Sequence, residues 1–346
     1  MSRTGKKALI VGAGPAGIEA ALKIGRAGYE VMLVEKETTP GGYLNKLCST
    51  FPRWEDPQNL LQVKLEQLRA IPDIKLLTGS SVVSARRTER GFFVELAGDS
   101  STRDTGIEVA AVVLATGFDY YDVRRYGEYG YGVYPGVMSA PEFEARLKEW
   151  KNEPEQIEPP GAVAFIKCVG SRDRAKGYPY CSSICCMYTA KQAALVKEIF
   201  PRTACYVFYM DVRAAGSGYE EFVRSTIEDK RVRYVRGRPA KVLPEGGRLQ
   251  IRVEDTLMGT PVEIEVDMVV LAGAVVPREE TVRLAGLFEA HIDRYGFLAS
   301  EPGQPVQAGE RVFFAGGCGF PVSIKGAQEQ GAAAAAEVIA LFNQPG

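Results

Sequence analysis

The chain has 346 residues, 46% of them hydrophobic and 25% charged, with a formal net charge of -1 at pH 7. This length is enough for two domains with substantial cores, and the near-zero charge provides no basic surface for nucleic acid. No run approaches the roughly eighteen apolar residues of a membrane helix, so we expect no membrane insertion. The N-terminus has no cleavage site for a signal peptide, and seven cysteines is an odd number for a disulfide framework. We therefore expect a mature cytoplasmic protein.

The N-terminal sequence carries a complete dinucleotide-binding pattern. A predicted strand, residues 7–12, runs into the turn GAGPAG and then into a predicted helix, Ile18 to Ala27. A second predicted strand, residues 30–34, ends at Glu35, where an acid binds a ribose hydroxyl. Strand, turn, helix, strand and acid in this order predict a dinucleotide site, and the dinucleotide is FAD or NAD.

Each glycine of this turn has a separate physical role. Gly12 permits the tight turn, Gly14 lets the backbone approach a pyrophosphate at the helix N-terminus, and Gly17 allows the helix to pack closely on the strand. The residues predicted to bind the dinucleotide in this part of the chain are Gly12, Gly14, Pro15, Ala16, Gly17, Glu35 and Lys36.

The next stretches favour FAD over NAD. Gly41 and Gly42 come a few residues after the acid, where FAD enzymes with two dinucleotide-binding domains carry a glycine pair close to the flavin. A predicted helix, Pro57 to Ala70, and short alternating strands from Ile74 to Val109 follow. We therefore expect Gly41 and Gly42 to contact FAD.

Two later stretches match strands of the same superfamily. Residues 111–117 end in the ATG sequence of its FAD-binding strand, and residues 311–317 resemble its last strand. An alanine-rich helix, Gly326 to Leu341, follows, and the dipole at its N-terminus would stabilise negative charge on a reduced flavin. The further FAD-binding residues predicted here are Ala115, Thr116, Gly117, Gly316, Gly317, Cys318 and Lys325.

The chain also repeats its own pattern. Residues 74–117, from IKLLTG to VAAVVLATG, are echoed by residues 232–274, from VRYVRG to VDMVVLAGA. This duplication predicts an α/β protein with two dinucleotide-binding-type, Rossmann-like domains. The predicted domains are a discontinuous FAD-binding domain, residues 1–158 and 274–346, and an inserted second domain, residues 159–273.

The second domain lacks the glycine pattern of the first. Its strands are predicted at residues 162–167 and 204–210, but the turn after the first strand is CVGS, beginning at Cys168, and a longer loop with three more cysteines follows. A bulky cluster at this position would block NAD(P)H. We therefore interpret the turn as a nucleotide site rebuilt to hold iron and sulfur.

Four cysteines lie between the first strand and the next predicted helix, Met187 to Phe200. Their spacings of thirteen, four and one match no standard zinc or ferredoxin pattern, whereas thiolates in a loop and at a helix N-terminus suit a [4Fe-4S] cluster. Alternative interpretations are a buried thiol at one position, a disulfide between adjacent cysteines, or a fourth ligand supplied by Cys48, Cys205 or Cys318. The predicted metal ligands are Cys168, Cys181, Cys185 and Cys186.

Short motifs along the chain extend the pattern around these cysteines. They are CVGSRD from Cys168, PYCS from Pro179, CCMY from Cys185 with Lys191 and Gln192, TFP from Thr50, YGVYP from Tyr131 and GGC from Gly316 with Pro321. Together they resemble the signature of the A subunit of heterodisulfide reductase and its relatives. The resemblance covers nearly the whole chain, and its motifs are highly specific.

The resemblance implies a thioredoxin-reductase-like core of the FAD-dependent pyridine nucleotide-disulfide oxidoreductase type. It also implies a [4Fe-4S] cluster on the four cysteines that match the family's ligands. Lys191 matches a lysine expected near the flavin N5, which makes it the predicted catalytic residue. The protein is then a flavin-dependent iron–sulfur oxidoreductase that works as a subunit of a complex.

The sequence departs from the methanogen form of this family, because no CxxCxxC run occurs in it. It is more similar to the short A subunit of the heterodisulfide-reductase-like complex of sulfur-oxidising bacteria. That similarity implies B-type and C-type subunits and a lipoate-binding protein as partners, and a homodimer as the assembly. The motifs also resemble the A subunit of the quinone-interacting oxidoreductase of sulfate reducers.

Two functions of different class are therefore compared. In the first, the chain is an electron-transfer subunit in which FAD takes two electrons and a nearby cluster relays single electrons to or from partner subunits. In the second, it is a stand-alone NAD(P)H-dependent disulfide reductase, which needs a nicotinamide fingerprint and a spaced cysteine pair beside the flavin. The sequence has neither feature, so we favour the first function.

Two remaining segments are predicted to have structural roles. The tyrosine-rich segment 120–134 is expected to form an interdomain or subunit surface. The charged segment 142–158 is expected to be a solvated helix and linker.

Overall fold

The computed structural model describes residues 5–98 and 105–344; residues 1–4, part of the predicted mature start, lie outside these ranges. The strands in these ranges are β1 (Lys7–Val11), β2 (Glu30–Val34), β3 (Ile74–Leu77), β4 (Ser81–Thr88), β5 (Gly91–Ala97), β6 (Thr105–Val109), β7 (Ala111–Leu114), β8 (Asp119–Tyr120), β9 (Val137–Ser139), β10 (Ala162–Val169), β11 (Ala204–Tyr209), β12 (Arg233–Arg236), β13 (Lys241–Glu245), β14 (Arg248–Asp255), β15 (Thr260–Val266), β16 (Met268–Gly273), β17 (Val275–Val276), β18 (Gln307–Gly309) and β19 (Val312–Phe314). The α-helices are α1 (Pro15–Arg26), α2 (Pro57–Arg69), α3 (Ala140–Asn152), α4 (Cys185–Ile199), α5 (Tyr219–Glu228), α6 (Glu279–Leu287) and α7 (Ile324–Asn343). None of these described helices is long and apolar enough to cross a membrane.

The chain divides into two compact units. The first unit comprises Met1–Asn45, Gln58–Asp119 and Val276–Gly346, and the second comprises Lys46–Pro57 and Tyr120–Val275. Each unit is discontinuous in sequence. The second unit includes more of the chain than the predicted inserted domain, residues 159–273.

The predicted boundary at residue 158 differs from the observed division because of the pairing in the second sheet. Strand β9 runs parallel to β16, with Val137 opposite Val269 and Ser139 opposite Leu271. Helix α3, which follows β9, packs against α4. The segment before residue 159 therefore completes the sheet and the core of the second unit.

The first unit is built on a six-stranded sheet in the order β18-β19-β7-β1-β2-β3. All its strands are parallel except β18, which pairs antiparallel with β19. Ala8, Leu9 and Ile10 of the central β1 are fully buried, as expected of a parallel strand that is covered on both faces. A separate antiparallel sheet, β4-β5-β6, accounts for the short alternating strands predicted from the sequence.

Helices α1 and α7 pack against each other in the first unit. Helix α1 has Gly14 as its N-cap and Pro15 at its first position, where proline is favoured because its missing N–H would have no partner. The two helices approach closely, since a Cβ on Gly331 would lie 2.3 Å from the carbonyl oxygen of Ala16. The small residues of α7 therefore serve close helix packing.

The second unit repeats the architecture of the first. Its main sheet has five parallel strands in the order β12-β11-β10-β16-β9, and an antiparallel sheet, β13-β14-β15, accompanies it. Strand β10 is buried along its whole length. The strand order on both sides of β10 matches the order on both sides of β1, as the sequence repeat predicts.

The charged segment 142–158 is partly buried, which differs from the solvated helix that its composition predicts. Phe143, Leu147 and Trp150 lie on one face of α3 and are buried. The ring of Phe143 makes edge contacts with the rings of Trp150 and Phe165, each with centroids 5.5 Å apart. Three apolar residues at helical spacing thus anchor a helix whose other faces are charged.

We predict that Phe143→Ala lowers the free energy of unfolding of the second unit by about 3–5 kcal/mol, because it leaves a cavity between α3 and β10. Chemical denaturation measures the change. Val133→Ala is the control, since Val133 is 74% exposed in the same part of the chain and its loss should cost less than about 0.5 kcal/mol. Equal effects of the two substitutions would contradict the assignment of α3 to this core.

Candidate functional site

The fingerprint turn of the first unit has a backbone geometry that requires glycine. Gly12 has a φ of 106°, and its N–H donates to the carbonyl oxygen of Val34 at 2.8 Å. A Cβ on Gly12 would lie 2.3 Å from the carbonyl oxygen of Ala115, and a Cβ on Gly17 would lie 1.9 Å from that of Gly12. Gly14, in contrast, has open space where a Cβ would be. Such open space suits a position where the backbone approaches a ligand.

Glu35 is buried at the end of β2 and is bonded to the same turn. Its Oε2 accepts a hydrogen bond from the Ala13 N–H at 2.8 Å, and its Oε1 accepts one from the Glu37 N–H at 3.0 Å. The sequence predicted only a ribose contact for this acid, so its support of the turn is an additional role. Both oxygens keep further acceptor capacity for a ribose hydroxyl. The neighbouring Lys36 is exposed.

The predicted glycine pair lies against the fingerprint turn. The Gly41 N–H donates to the carbonyl oxygen of Ala13 at 2.7 Å, and a Cβ on Gly42 would lie 3.4 Å from the Cα of Gly14. Both glycines have positive φ values, 121° and 55°. The pair is therefore placed to contact the ligand of the turn.

The ends of β7 and β19 also reach this turn. The Ala115 N–H donates to the carbonyl oxygen of Val11 at 2.8 Å. A Cβ on Gly316 would lie 3.0 Å from the Cβ of Ala16, and the Gly316 N–H donates to Gln330 Oε1 at 2.7 Å. The structure thus gathers the predicted FAD-binding stretches of the first unit around the start of α1.

Two predicted cofactor-binding side chains have other partners. The buried Cys318 thiol donates to the carbonyl oxygens of Leu114 and Ala315, each at 3.2 Å, and burial raises its pKa. Lys325 is 67% exposed and lies 3.7 Å from Glu329. A cofactor contact at Cys318 would therefore come from its backbone, and the charge of Lys325 is shared with a carboxylate.

In the second unit, β10 ends in a distorted turn at the first of the four cysteines. Cys168 has a φ of 61°, and the register with β16 shifts between Ile166 and Val169. Cys185 and Cys186 are the first two residues of α4. The strand end and the helix start bring three thiols together, and the Cys185 thiol interacts with the sulfurs of both Cys168 and Cys186.

The three thiols hold their protons unequally. The hydrogen bond from Cys185 lowers the pKa of Cys168 and lowers the pKa of Cys186 to about 5, while the pKa of Cys185 itself is raised well above its ordinary value. Lys167 Nζ lies 3.0 Å from Cys186 Sγ, and the Arg213 N–H donates to the same sulfur at 3.3 Å. These contacts favour the thiolate, which is the form that binds metal.

Cys181 differs from the other three cysteines. It is only partly buried and accepts a hydrogen bond from the Ser183 N–H at 3.4 Å. Over residues 5–98 and 105–344, no group of three or more His, Cys, Asp or Glu side chains is arranged to hold a single metal ion. A cluster makes a different demand, because its four ligands bind separate iron atoms and need not converge on one point. Four thiols among positive charges and N–H donors therefore fit a cluster in their chemistry.

Two serines that the sequence reasoning missed support the loop that carries Cys181. Ser171 Oγ donates to the carbonyl oxygen of Tyr180 at 2.8 Å and accepts from the Ser182 N–H at 3.1 Å. Ser182 Oγ accepts from the Val275 N–H at 2.9 Å. Serine commonly bonds to backbone in turns, but the sequence does not indicate which backbone groups it reaches.

Lys191 forms a buried ion pair inside the second unit. Its Nζ lies 2.6 Å from Glu144 Oε1 and donates to the carbonyl oxygen of Ser49 at 3.0 Å. Glu144 also accepts hydrogen bonds from the Cys48 N–H at 2.9 Å and from Gln192 Nε2 at 2.8 Å. Losing either charge would leave the other buried without its counter-charge, so the pair fixes the position of the lysine ammonium.

Sequence reasoning missed Glu144 because its segment was expected to be solvated. The buried residues of α3 are Ala140, Phe143, Glu144, Leu147 and Trp150. Their spacing is that of a core-facing helix face, and Glu144 is its charged member. A charged residue at such a position is the signal that could have identified it.

Comparison with known proteins shows which proteins this chain resembles. Residues 6–150 match the family model described as pyridine nucleotide-disulphide oxidoreductase. The thioredoxin reductase of T. acidophilum has a TM-score of 0.65 and 17% identity, covering 98% of this chain and 100% of that chain. The chain is 32% identical, over 95% of its length, to the iron-sulfur A subunit 2 of the CoB–CoM heterodisulfide reductase of Methanopyrus kandleri. The chain is therefore homologous, over nearly its whole length, to A subunits of heterodisulfide reductases.

A second member of this family gives the same identity. The iron-sulfur A subunit of the CoB–CoM heterodisulfide reductase of Methanocaldococcus jannaschii is 32% identical over 85% of the chain. The chain spans 63% and 57% of the lengths of these two relatives. The predicted fold, a thioredoxin-reductase-like α/β fold that binds dinucleotides, is confirmed. The fold and the family are those of flavin-dependent oxidoreductases, and they support FAD as a cofactor.

We predict that Gly17→Ala abolishes FAD binding, because the added Cβ would collide with the carbonyl oxygen of Gly12 and open the turn. Flavin absorbance per purified chain measures the effect. Gly286→Ala is the matched control, since Gly286 lies in α6 with no atom within 4 Å of an added Cβ. Full flavin content in Gly17→Ala would show that the turn does not hold the cofactor.

We also predict a thiolate at neutral pH in the reduced, metal-free protein. Because the pKa of Cys186 is lowered to about 5, its thiolate is present above that pH and lost below it. Far-ultraviolet thiolate absorbance should therefore rise near pH 5, and Cys186→Ser should make that rise smaller. Cys205→Ser should retain it, because burial raises the pKa of Cys205 to about 12. Thiolate absorbance that appears only near the ordinary thiol pKa of about 8.5 would contradict the prediction.

Proposed function

We propose that the chain is the FAD-containing and [4Fe-4S]-containing electron-transfer subunit of a heterodisulfide-reductase-like complex. The observation that carries this proposal is the contrast between the two strand-to-helix turns. The turn after β1 is lined by glycines that leave room for a pyrophosphate, whereas the turn after β10 leads into four cysteines. The family of the chain supports the same assignment.

The glycines of the second turn are closely packed by the chain itself. A Cβ on Gly170 would lie 2.5 Å from the ring of Tyr121, and a Cβ on Gly177 would lie 2.2 Å from the carbonyl oxygen of Gly170. Gly170 therefore lacks the open space that Gly14 has in the first turn. This packing argues against the alternative function, a stand-alone NAD(P)H-dependent disulfide reductase.

In the first unit, the chain's residues would bind and orient FAD. Gly12, Gly14 and Gly17 admit the pyrophosphate to the start of α1, and Glu35 binds a ribose hydroxyl. The other predicted FAD-binding residues complete this site, and Cys318 contributes its backbone. They are Gly41, Gly42, Ala115, Thr116, Gly117, Gly316, Gly317, Cys318 and Lys325. When bound, FAD exchanges electron pairs with a donor and single electrons with an iron–sulfur cluster.

In the second unit, Cys168, Cys181, Cys185 and Cys186 would ligate the cluster. Lys167 and the Arg213 N–H stabilise the thiolate charge of Cys186, and burial of three of the four sulfurs excludes water from them. The resemblance gives Lys191 a place near the flavin N5, and its ion pair with Glu144 would hold the ammonium in position.

The finer assignments are proposals from the resemblance. The chain would act in cytoplasmic sulfur oxidation, as a homodimer, with B-type and C-type subunits and a lipoate-binding protein as partners. The two relatives are named as subunits of a heterodisulfide reductase, which supports a complex. The alternative within the family is the A subunit of the quinone-interacting oxidoreductase of sulfate reduction.

The proposal is tested by anaerobic purification with iron, sulfide and flavin measured on one sample. We expect about four irons and four sulfides per FAD and an EPR signal after dithionite reduction. Cys181→Ser should lose the iron and keep FAD, because the two sites use different residues. Cys48→Ser and Cys205→Ser are the controls and should keep both. Unchanged iron in Cys181→Ser would remove it from the ligands, and FAD without iron in the wild type would disprove the cluster.

A further inference from the structure

The loop between β10 and α4 has a strained backbone, which needs contacts with its surroundings to keep its conformation. Three non-glycine residues in it have left-handed backbone: Cys168 with a φ of 61°, Arg172 with 59° and Ser183 with 54°. Such conformations cost conformational free energy and persist only where the surroundings determine them. The hydrogen bonds that the loop makes within the second unit are one source of this restraint.

Asp173 makes several of the contacts that restrain this loop. Its Oδ1 accepts hydrogen bonds from the N–H groups of Ala175 at 2.8 Å and Lys176 at 3.1 Å, which closes a turn within the loop. Its Oδ2 accepts from Tyr126 Oη and from Arg238 Nη2, the latter at 2.8 Å. One carboxylate thus joins the loop to two other parts of the second unit.

Tyr126 and Arg238 are themselves held in place. Arg238 Nη2 also donates to Tyr126 Oη at 2.9 Å, and its guanidinium lies 5.3 Å from the centroid of the Tyr126 ring. The Tyr126 ring stacks on Tyr129 with centroids 5.6 Å apart, and both side chains are 1% exposed. Tyr129 Oη donates to the carbonyl oxygen of Pro239 at 3.0 Å. These two tyrosines of the segment 120–134 therefore lie inside the second unit, in contrast to the surface that the sequence predicted.

We propose that Asp173, Tyr126 and Arg238 are positioning residues that hold the cysteine loop in its ligand-binding shape before any metal is bound. The iron–sulfur site is then preformed by the protein, unlike small metal sites that fold only around their ion. This inference rests on the proposed function for its purpose, but the loop's shape is tested without iron. The bond of Asp173 with Arg238 joins two charged groups, and such bonds are among the stronger ones in proteins.

Three backbone N–H groups report directly on the loop. Arg172 N–H donates to the carbonyl oxygen of Tyr180 at 2.9 Å, and Asp173 N–H donates to that of Tyr178 at 2.9 Å. Tyr178 N–H donates to the carbonyl oxygen of Gly170 at 2.8 Å. Hydrogen–deuterium exchange of the peptides spanning residues 170–184, in the metal-free full chain, therefore measures whether the loop is formed.

The experiment measures two quantities for each variant: the exchange of these peptides in the metal-free chain, and the iron content after anaerobic reconstitution. The wild-type loop should be protected without iron, and Asp173→Asn should exchange about tenfold faster there and bind less iron. Arg238→Met should also exchange faster in the loop and bind less iron. Arg238→Lys keeps the positive charge, so it should retain the protection and the EPR signal of the wild type. Asp255→Asn is the matched control, because Asp255 closes a turn between β14 and β15 through the N–H groups of Leu257 and Met258. It should leave the loop and the iron content unchanged.

The outcomes separate this inference from the proposed function. A wild-type loop that is unprotected until iron binds would overturn the inference, and so would Asp173→Asn with unchanged protection and iron. Cys181→Ser should lose iron while the metal-free loop stays protected. If the wild type binds no iron but its loop is protected through Asp173, the proposed function fails and the positioning role stands.

Discussion

Close backbone packing at the end of the first strand governs what each unit can hold. In the first unit, Gly12 and Gly17 leave no room for a side chain, so the chain turns tightly and exposes the start of α1 to a ligand. In the second unit the equivalent turn is filled by the chain itself, because Gly170 packs against Tyr121 and Gly177. The same strand order therefore frames an open glycine position, Gly14, in one unit and a closely packed one, Gly170, in the other.

Buried charge is the second constraint, and it acts through two lysines of the second unit. Lys191 is paired with Glu144, whose carboxylate also fixes the Cys48 N–H and Gln192. Lys167 is buried at the end of β10 and lies beside Cys186 Sγ. A cation removed from water needs an anionic or polar partner, so these contacts couple the positions of both lysines to the elements around the cysteines. The buried charges of this unit therefore fix the positions of the side chains around the cysteines.

The cysteine loop shows how a polar segment can be ordered without a core of its own. Ser171, Ser182 and Asp173 replace apolar contacts with hydrogen bonds to backbone groups and to neighbouring side chains. The hydrogen bonds from the Ser182 N–H and to the Ser182 hydroxyl are buried, and buried hydrogen bonds are costly to leave unmade. The left-handed residue Cys168 is part of this arrangement, because it turns the chain from the strand into the loop.

The sequence by itself determined the elements whose signals are local. The glycine turn and Glu35, the repeat of residues 74–117 and 232–274, and the cysteine spacing all follow from short-range requirements of backbone and ligand chemistry. Helix α4 was expected to begin at Met187, but it begins two residues earlier and includes Cys185 and Cys186. Tyr126 and Arg238 could not be identified, because each acts on a residue far away in sequence. Which polar side chains became buried partners was decided by the tertiary structure alone, since only the packed chain shows which charges lose their water and must find each other.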